Sequence, residues 1–372
     1  MKKRLKMILI ITSVIIAVLC FSFVAFFSYA QQLGASAEGQ RLATMRKSVN
    51  YLDGKFINPI ETNMSMPKGQ MLKTFWDFFK GHKSREPAGE IYTVPFDRSA
   101  FEQRKDLTIS WLGHSTILIR IDGKVIITDP VFCKRASMVS FAGPKKFAYA
   151  NPYRIEDLPK IDAVVISHDH YDHLDYKAIL KLKDKVKRFY VPLGVGAHLE
   201  KWGVPVENIV ELDWWEASTL EGIELVCTPT RHFSGRRLTN RFATQWCSWV
   251  IKGNEQNVYY SGDSGYFPGF KEIGAKYGPF DLTFIECGAY NERWSGIHMF
   301  PEQTVQAHMD VQGKVLIPIH WAKFNLSLHP WKEPVQRATI DAQKNAVTLI
   351  TPQIGEVFNL DTPAGSWWEH LQ

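Results

Sequence analysis

The chain has 372 residues, 45% hydrophobic and 22% charged, enough to bury a sizeable core and unlike a disordered or low-complexity protein. Its formal charge of +6 arises entirely in residues 1–50, where seven cations (Lys2, Lys3, Arg4, Lys6, Arg41, Arg46, Lys47) meet one acid, Glu38, which leaves 37 charges of each sign in the remainder. A body that is neutral overall argues against a nucleic-acid-binding face, so no nucleic-acid partner is expected.

Residues 1–6 form a basic tail, and residues 7–30 follow as a continuous apolar stretch without one charge. That length matches a bilayer span and exceeds the hydrophobic region of an ordinary signal peptide, which predicts a retained transmembrane signal anchor. Ser28-Tyr29-Ala30 has the small-x-small form of a cleavage site, the alternative fate. Leu19 precedes Cys20 where a lipoprotein signal needs a small residue, so lipidation is not expected. With the basic tail held in the cytoplasm, the protein is expected to cross the membrane once and carry its catalytic domain outside, in the periplasm or at the cell exterior.

Residues 31–95 read as a tether and approach segment between the anchor and a catalytic domain over 96–372. Within it, residues 70–80 gather Met71, Leu72, Phe75, Trp76 and Phe79 on one helical face, flanked by Lys73, Lys80 and Lys83. The expectation is that this face packs against the catalytic domain; a position in the lipid interface is the alternative.

From residue 96 the pattern is of short apolar runs, predicted as strands at 107–111, 116–121, 124–128, 163–166, 189–191, 223–228, 248–252, 258–261, 282–285, 315–319 and 347–350. Helices are expected at 176–185 and 301–311. This alternation predicts an α/β fold with two strand-rich halves. The other four cysteines, Cys133, Cys227, Cys247 and Cys287, have no C-x-x-C spacing and read as buried thiols rather than ligands.

The run at 163–166 opens into Ser167-His168-Asp169-His170-Tyr171-Asp172-His173. Three imidazoles and a carboxylate at a strand end suit zinc or a similar divalent metal, and a chance polar loop is a poor account of the full pattern. His168 and His170 alternate along extended backbone and can reach one ion, while Asp172 and His173 can reach a second. Two ions need more ligands, and His232, Asp263 and His320 each follow a predicted strand. No G-x-S-x-G elbow or P-loop pattern competes with a metal-based reading.

These elements, together with Trp111-Leu112-Gly113-His114-Ser115-Thr116, Thr128-Asp129-Pro130-Val131-Phe132, Gly143-Pro144-Lys145-Lys146, the 228–236 segment, Gly262-Asp263-Ser264-Gly265-Tyr266 and Pro318-Ile319-His320-Trp321, resemble the metallo-β-lactamase superfamily of metal-dependent hydrolases. The similarity extends over residues 95–335 and is to the branch containing N-acyl phosphatidylethanolamine-hydrolysing phospholipase D. It departs from that branch at Phe233, where an indole is usual after the third histidine.

The resemblance implies a four-layer αβ/βα sandwich with two Zn2+ ions, or other divalent metals, at the strand ends. His168, His170 and His232 would hold the first, and Asp172, His173 and His320 the second, with Asp263 bridging. It implies that Asp129 orients a ligating imidazole by accepting its other ring N–H, and His114 is expected to hydrogen-bond nearby. A water bridging two cations, deprotonated near neutral pH, is the expected nucleophile. Asp172 and Asp263 are thus expected to serve catalysis as ligands, and His298 to protonate the leaving group. Arg231 and Arg236 flank the third histidine and are candidates to meet substrate phosphate. The implied substrate is a phospholipid, N-acyl phosphatidylethanolamine, yielding phosphatidate and an N-acylethanolamine. A lactonase, a soluble phosphodiesterase and a non-catalytic zinc scaffold are the alternatives.

Overall fold

The computed structural model describes residues 2–64, 69–81, 83–104, 106–363 and 365–371. Met1 of the basic tail and the Lys2 and Lys83 side chains lie outside the described residues. Helix α1 (Lys2–Tyr29) contains the apolar stretch, with a mean hydropathy of 2.9 and none of it buried against the rest of the chain. At 1.5 Å per residue its 28 residues extend roughly 42 Å, long and apolar enough to cross a membrane.

The segment after α1, read from the sequence as a tether and small and polar over residues 31–40, is docked on the folded body. Its backbone carbonyls are taken up by side chains of the folded body: Trp202 Nε1 donates to Gln31 at 2.7 Å, Arg236 to Gln32 at 2.9 and 3.0 Å, and Arg237 and Lys201 to Gly34. Leu33 is fully buried, and from α2 (Gly39–Met45) Arg41 pairs with Glu211 and Glu200 while Met45 enters the core. A composition read as loose was instead supplying acceptors for distant arginines.

Helix α3 (Gln70–Lys80) forms where the spacing predicts it, but its apolar face does not pack on the body. Met71, Leu72, Phe75, Trp76 and Phe79 are 60–77% exposed. The helix docks by another side, through Thr74 and Asp77, which accept from Arg293 at 2.9 and 2.7 Å, and through Phe78, stacked on Trp294. Two fixed hydrogen bonds to one guanidinium, one of them charge-assisted, settle the orientation that periodicity left open. Next, α4 (Arg98–Gln103) opens with Asp97 accepting from Ala100 N, an N-cap that satisfies one free helix donor.

Six strands then form one sheet in chain order: β1 (Thr108–Trp111), β2 (Ile117–Ile121), β3 (Lys124–Thr128), β4 (Ala163–Val165), β5 (Arg188–Pro192) and β6 (Ile209–Leu212). The first three pair antiparallel and the last four parallel. The second sheet repeats this plan in the same order: β7 (Ala217–Leu220) to β10 (Asn257–Tyr260), through β8 (Ile223–Thr228) and β9 (Ser248–Lys252), are antiparallel. Parallel pairing continues to β11 (Phe280–Glu286), β12 (Gly313–Ile319) and β13 (Thr348–Leu349). Sequence patterning had missed β6 and β7, two edge strands whose side chains are mostly half-buried or exposed and so lack an apolar run.

The two-residue period of the strands builds the layers. Ala163 and Val165 of β4 face the core between the sheets with Ile126, Trp249, Tyr260 and Phe284, while Val164 faces outward with Leu118 and Ile127. The outward set is covered by α5 (Tyr176–Leu182) and α6 (Gly196–Lys201) through Ile179, Leu182 and Leu199. On the other sheet α7 (Gly269–Tyr277), α8 (Pro301–Asp310) and α9 (Glu333–Lys344) cover Val250, Tyr259 and Leu316. Helix, sheet, sheet, helix is the four-layer sandwich expected, and each fully buried large side chain contributes about 1.5–3 kcal/mol to holding it.

Candidate metal centre

The loops leaving the ends of β4, β8, β10 and β12 converge, and with them the seven side chains expected to hold metal. Asp263 Oδ2 lies 3.8, 3.1, 3.7 and 3.2 Å from Nε2 of His168, His173, His232 and His320. Asp172 Oδ2 lies 3.5 and 3.3 Å from Nε2 of His173 and His320. His168 Nε2 and His232 Nε2 sit 2.9 and 3.3 Å from His170 Nδ1. Nitrogens bound tetrahedrally at about 2.0–2.1 Å to one zinc would be roughly 3.3 Å apart, so this spacing fits an ion.

In three of the imidazoles the other ring nitrogen has a partner that fixes which atom the ring presents. His173 Nδ1 donates to Asp129 Oδ2 at 2.6 Å, His232 Nδ1 donates to the Ile297 carbonyl at 2.9 Å, and His168 Nδ1 lies 2.9 Å from Ser167 Oγ. Asp129 also accepts from Ser167 N, Ser167 Oγ and the Tyr260 hydroxyl, so it is locked in place. His114 Nε2 donates to Asp172 Oδ2 at 3.1 Å.

His114, Asp129 and His320 all take positive φ, of 58°, 33° and 65°. Such backbone is costly for residues other than glycine and persists where surrounding contacts enforce it. Here His320 N donates to the His114 carbonyl at 3.0 Å and His114 N to the Trp321 carbonyl at 3.1 Å.

The donor set fits a cation pair. Among the described residues, buried Nε2 of His173, Nε2 of His320 and Oδ1 of Asp263 have no hydrogen-bond partner, a costly condition that coordination relieves. Burial pulls His168 and His232 well below the ordinary imidazole pKa and so favours neutral, ligating rings. For His173 and His320 burial acts the same way but is outweighed by Asp263 and its neighbours, which hold His173 high and His320 at about 10. Burial alone would raise Asp172 and Asp263, yet the histidines hold both carboxyls well below their usual range. The field of this pocket therefore favours positive charge, which protons or metal ions can supply.

Above the cluster lies a cavity of about 360 Å3 lined by His170, Asp172, Asp263, His298 and His320. His298 Nδ1 donates to Glu286 Oε2 at 3.0 Å, and its ring stands 5.0 and 5.3 Å from those of His232 and His320. Thr74 and Phe78 of α3, with Asn63 and Met64, complete the wall.

Neither arginine proposed from the sequence for substrate faces this cavity. Arg236 is buried and donates to the carbonyls of Asp169, Leu174 and Gln32, with Tyr171 and Trp202 against its plane. Arg231 donates to Thr62 Oγ1 and to the Tyr266 and Glu61 carbonyls. Both tie the chain to itself. Arg241 lines the cavity instead, over the Phe233 ring at 4.5 Å, with no acidic partner among the described residues. Phe233 in turn meets the His170 ring at 4.4 Å.

Sequence reasoning also missed Glu286, fully buried at the end of β11, whose carboxyl burial holds above its usual range against the pull of His298. The β11–β12 register pairs Glu286 with Ile319, so Glu286 and His320 leave the sheet side by side. An acid closing an apolar run was the available signal.

The description "Beta-lactamase superfamily domain" matches residues 124–321, and the chain belongs to that family. An uncharacterized protein of Mycobacterium tuberculosis is 42% identical over 90% of this chain and 91% of its own length. N-acyl-phosphatidylethanolamine-hydrolyzing phospholipase D 1 of Caenorhabditis elegans is 35% identical over 69% of this chain and 77% of its own. The fold is shared with the isothiocyanate hydrolase from Delia radicum gut bacteria, at TM-score 0.55 and 20% identity over 68% of this chain and 98% of that one. The protein is a metal-dependent hydrolase of the metallo-β-lactamase fold.

Proposed function

We propose that this hydrolase is a phosphodiesterase of the phospholipase D type that cleaves N-acyl phosphatidylethanolamine to phosphatidate and an N-acylethanolamine. One juxtaposition carries the reading: the histidine–aspartate cluster floors a cavity whose wall holds the unpaired Arg241 and whose rim is α3, with its apolar face exposed. A phosphodiester between two apolar parts matches that sequence of surfaces. The similarity to the nematode phospholipase D agrees with it.

His168, His170 and His232 would hold one zinc ion, Asp172, His173 and His320 another, with Asp263 shared. Two such cations lower the pKa of water and neutralise charge on phosphoryl oxygen. Water's oxygen becomes bonded to phosphorus and gives up a proton, the bond from phosphorus to the N-acylethanolamine oxygen breaks, and that oxygen takes up a proton, so that the two transfers balance. His298 is the proposed donor: its Nδ1 is committed to Glu286, which leaves Nε2 to exchange a proton with the leaving oxygen. Arg241 is the proposed contact for the phosphate.

In this reading α1 spans the membrane, residues 1–6 stay in the cytoplasm, and the catalytic body with residues 31–95 docked on it lies outside. Helix α3 rests its apolar face in the lipid interface, where the cavity opens toward a head group.

Purified full-length protein incubated with a panel of lipids, lactones and soluble phosphodiesters, with products identified by mass, tests this. Phosphatidate and N-acylethanolamine in equal amounts, abolished by a chelator, are expected. Lactone or soluble-diester turnover with the lipid untouched would transfer the site to another bond, and silence across the panel would favour a zinc-binding scaffold.

A further inference from the structure

A larger cavity, of about 570 Å3, lies apart from the one above the histidines. Its walls are aromatic, with Phe132, Tyr153, Tyr171 and Tyr176. Around them stand six cations: Lys134, Arg135, Arg154, Lys177, Lys181 and the buried Arg236. The acid that lines it, Asp175, is buried and engaged, accepting from Lys177 N and Phe132 N at 2.9 and 3.0 Å. Arg154 and Lys181 are paired with Asp157 and Glu156, and Arg135 donates to the Gly143 carbonyl. Lys134 and Lys177 are exposed and have no acidic partner among the described residues. Two exposed lysines without an acidic partner, on the lining of an aromatic slot, are the complement of an anion with an apolar body.

The position of the cavity says where such an anion comes from. Gln32 forms part of its wall, fixed there by Arg236 and by its own Nε2 donating to the Met138 carbonyl at 2.9 Å. It follows Tyr29, the last residue of α1, by three residues, a reach of at most about 11 Å. The loop that carries Lys134 and Arg135 also carries Phe141, 81% exposed, an aromatic suited to the head-group level of a bilayer.

We propose that this second cavity is a subsite for an anionic phospholipid drawn from the membrane that holds α1, with the phosphate at Lys134 and Lys177 and the upper acyl chain against the aromatic walls. The inference rests on reading α1 as a span and is independent of what the metal centre hydrolyses.

The test uses the full-length protein in nanodiscs of phosphatidylcholine with a minor fraction of phosphatidylglycerol, followed by native mass spectrometry. Retention of one phosphatidylglycerol in preference to phosphatidylcholine is expected, with the preference falling about tenfold or more in the double variant Lys134→Glu, Lys177→Glu. Equal retention of both lipids, or a preference that the double variant keeps, would overturn the subsite. Inorganic phosphate that displaces the lipid as effectively at matched concentration would make the ligand a soluble anion and overturn the membrane source. Alkaline carbonate extraction of the parent membranes reports on α1 separately: protein that washes off refutes the span, whereas protein that stays but shows no anionic preference refutes the subsite alone.

Discussion

Asn58 and His232 are joined twice: Asn58 Nδ2 donates to the His232 carbonyl at 2.8 Å, and His232 N donates to Asn58 Oδ1 at 3.0 Å. The N-terminal arm thereby grips the backbone of a histidine in the metal cluster. Asn58→Ala removes both bonds and should lower metal affinity or turnover about tenfold or more, as loss of an orienting partner does. Metal content after dialysis, measured beside turnover, checks this; a variant that matches the parent in both contradicts it.

Asp263→Asn should be far more damaging to turnover and far less to the fold. The residue sits within 3.8 Å of four imidazoles, and its loss should reduce both metal stoichiometry and hydrolysis, the latter by about three orders of magnitude. Circular dichroism should remain that of the parent. Normal turnover in this variant, or in chelator-treated parent, is incompatible with the proposed site.

Glu286 accepts from Met299 N at 2.8 Å as well as from His298. With Ser264 N also donating to it at 3.4 Å, Glu286→Ala leaves three donors without acceptors and should destabilise the protein by about 3 kcal/mol in urea unfolding, while Glu286→Gln should lose about 1 kcal/mol. Equal stability of the two variants would show that these hydrogen bonds carry little.

Helix α3 offers a prediction that separates membrane binding from turnover. Trp76→Ser with Phe79→Ser should weaken partitioning to liposomes about tenfold or more and leave hydrolysis of a soluble ester unchanged. Partitioning that ignores the substitutions means that this face does not meet lipid.

Lys323 is buried, its ammonium donating to the Leu112 carbonyl at 3.3 Å, and burial with Lys146 pulls its pKa from 10.5 to about 7. Between those values the unfolded chain binds the extra proton, so the stability contributed by this depressed pKa is full above 10.5 and lost as pH falls toward 7. Lys323→Met should therefore raise Tm by a few degrees at pH about 6 and less at pH about 9. A gain that grows with pH has the wrong sign.

Strand-end chemistry was legible because the motif at 167–173, and His232, Asp263 and His320 after it, each follow a run of β-branched and apolar residues. The same signal passed over Glu286. What no local pattern carries is partnership across the chain. Asp77 finds Arg293 at a separation of 216 residues, and Arg236 finds Gln32 at 204, which reversed the expected facing of α3 and turned a supposed tether into part of the body. Arg241 went unnoticed for a similar reason: its importance comes from facing a cavity whose walls are drawn from seven separate stretches of chain.

His114, Asp129 and His320 hold a left-handed backbone that glycine would adopt with less strain. At His320, whose ring nitrogens have no hydrogen-bond partner among the described residues, heat resistance and chemistry thus pull in opposite directions, whereas the four bonds that Asp129 accepts keep it in place. A library sorted on thermal tolerance alone should drift at position 320 toward glycine or asparagine, and the sturdier proteins it yields would be poorer enzymes.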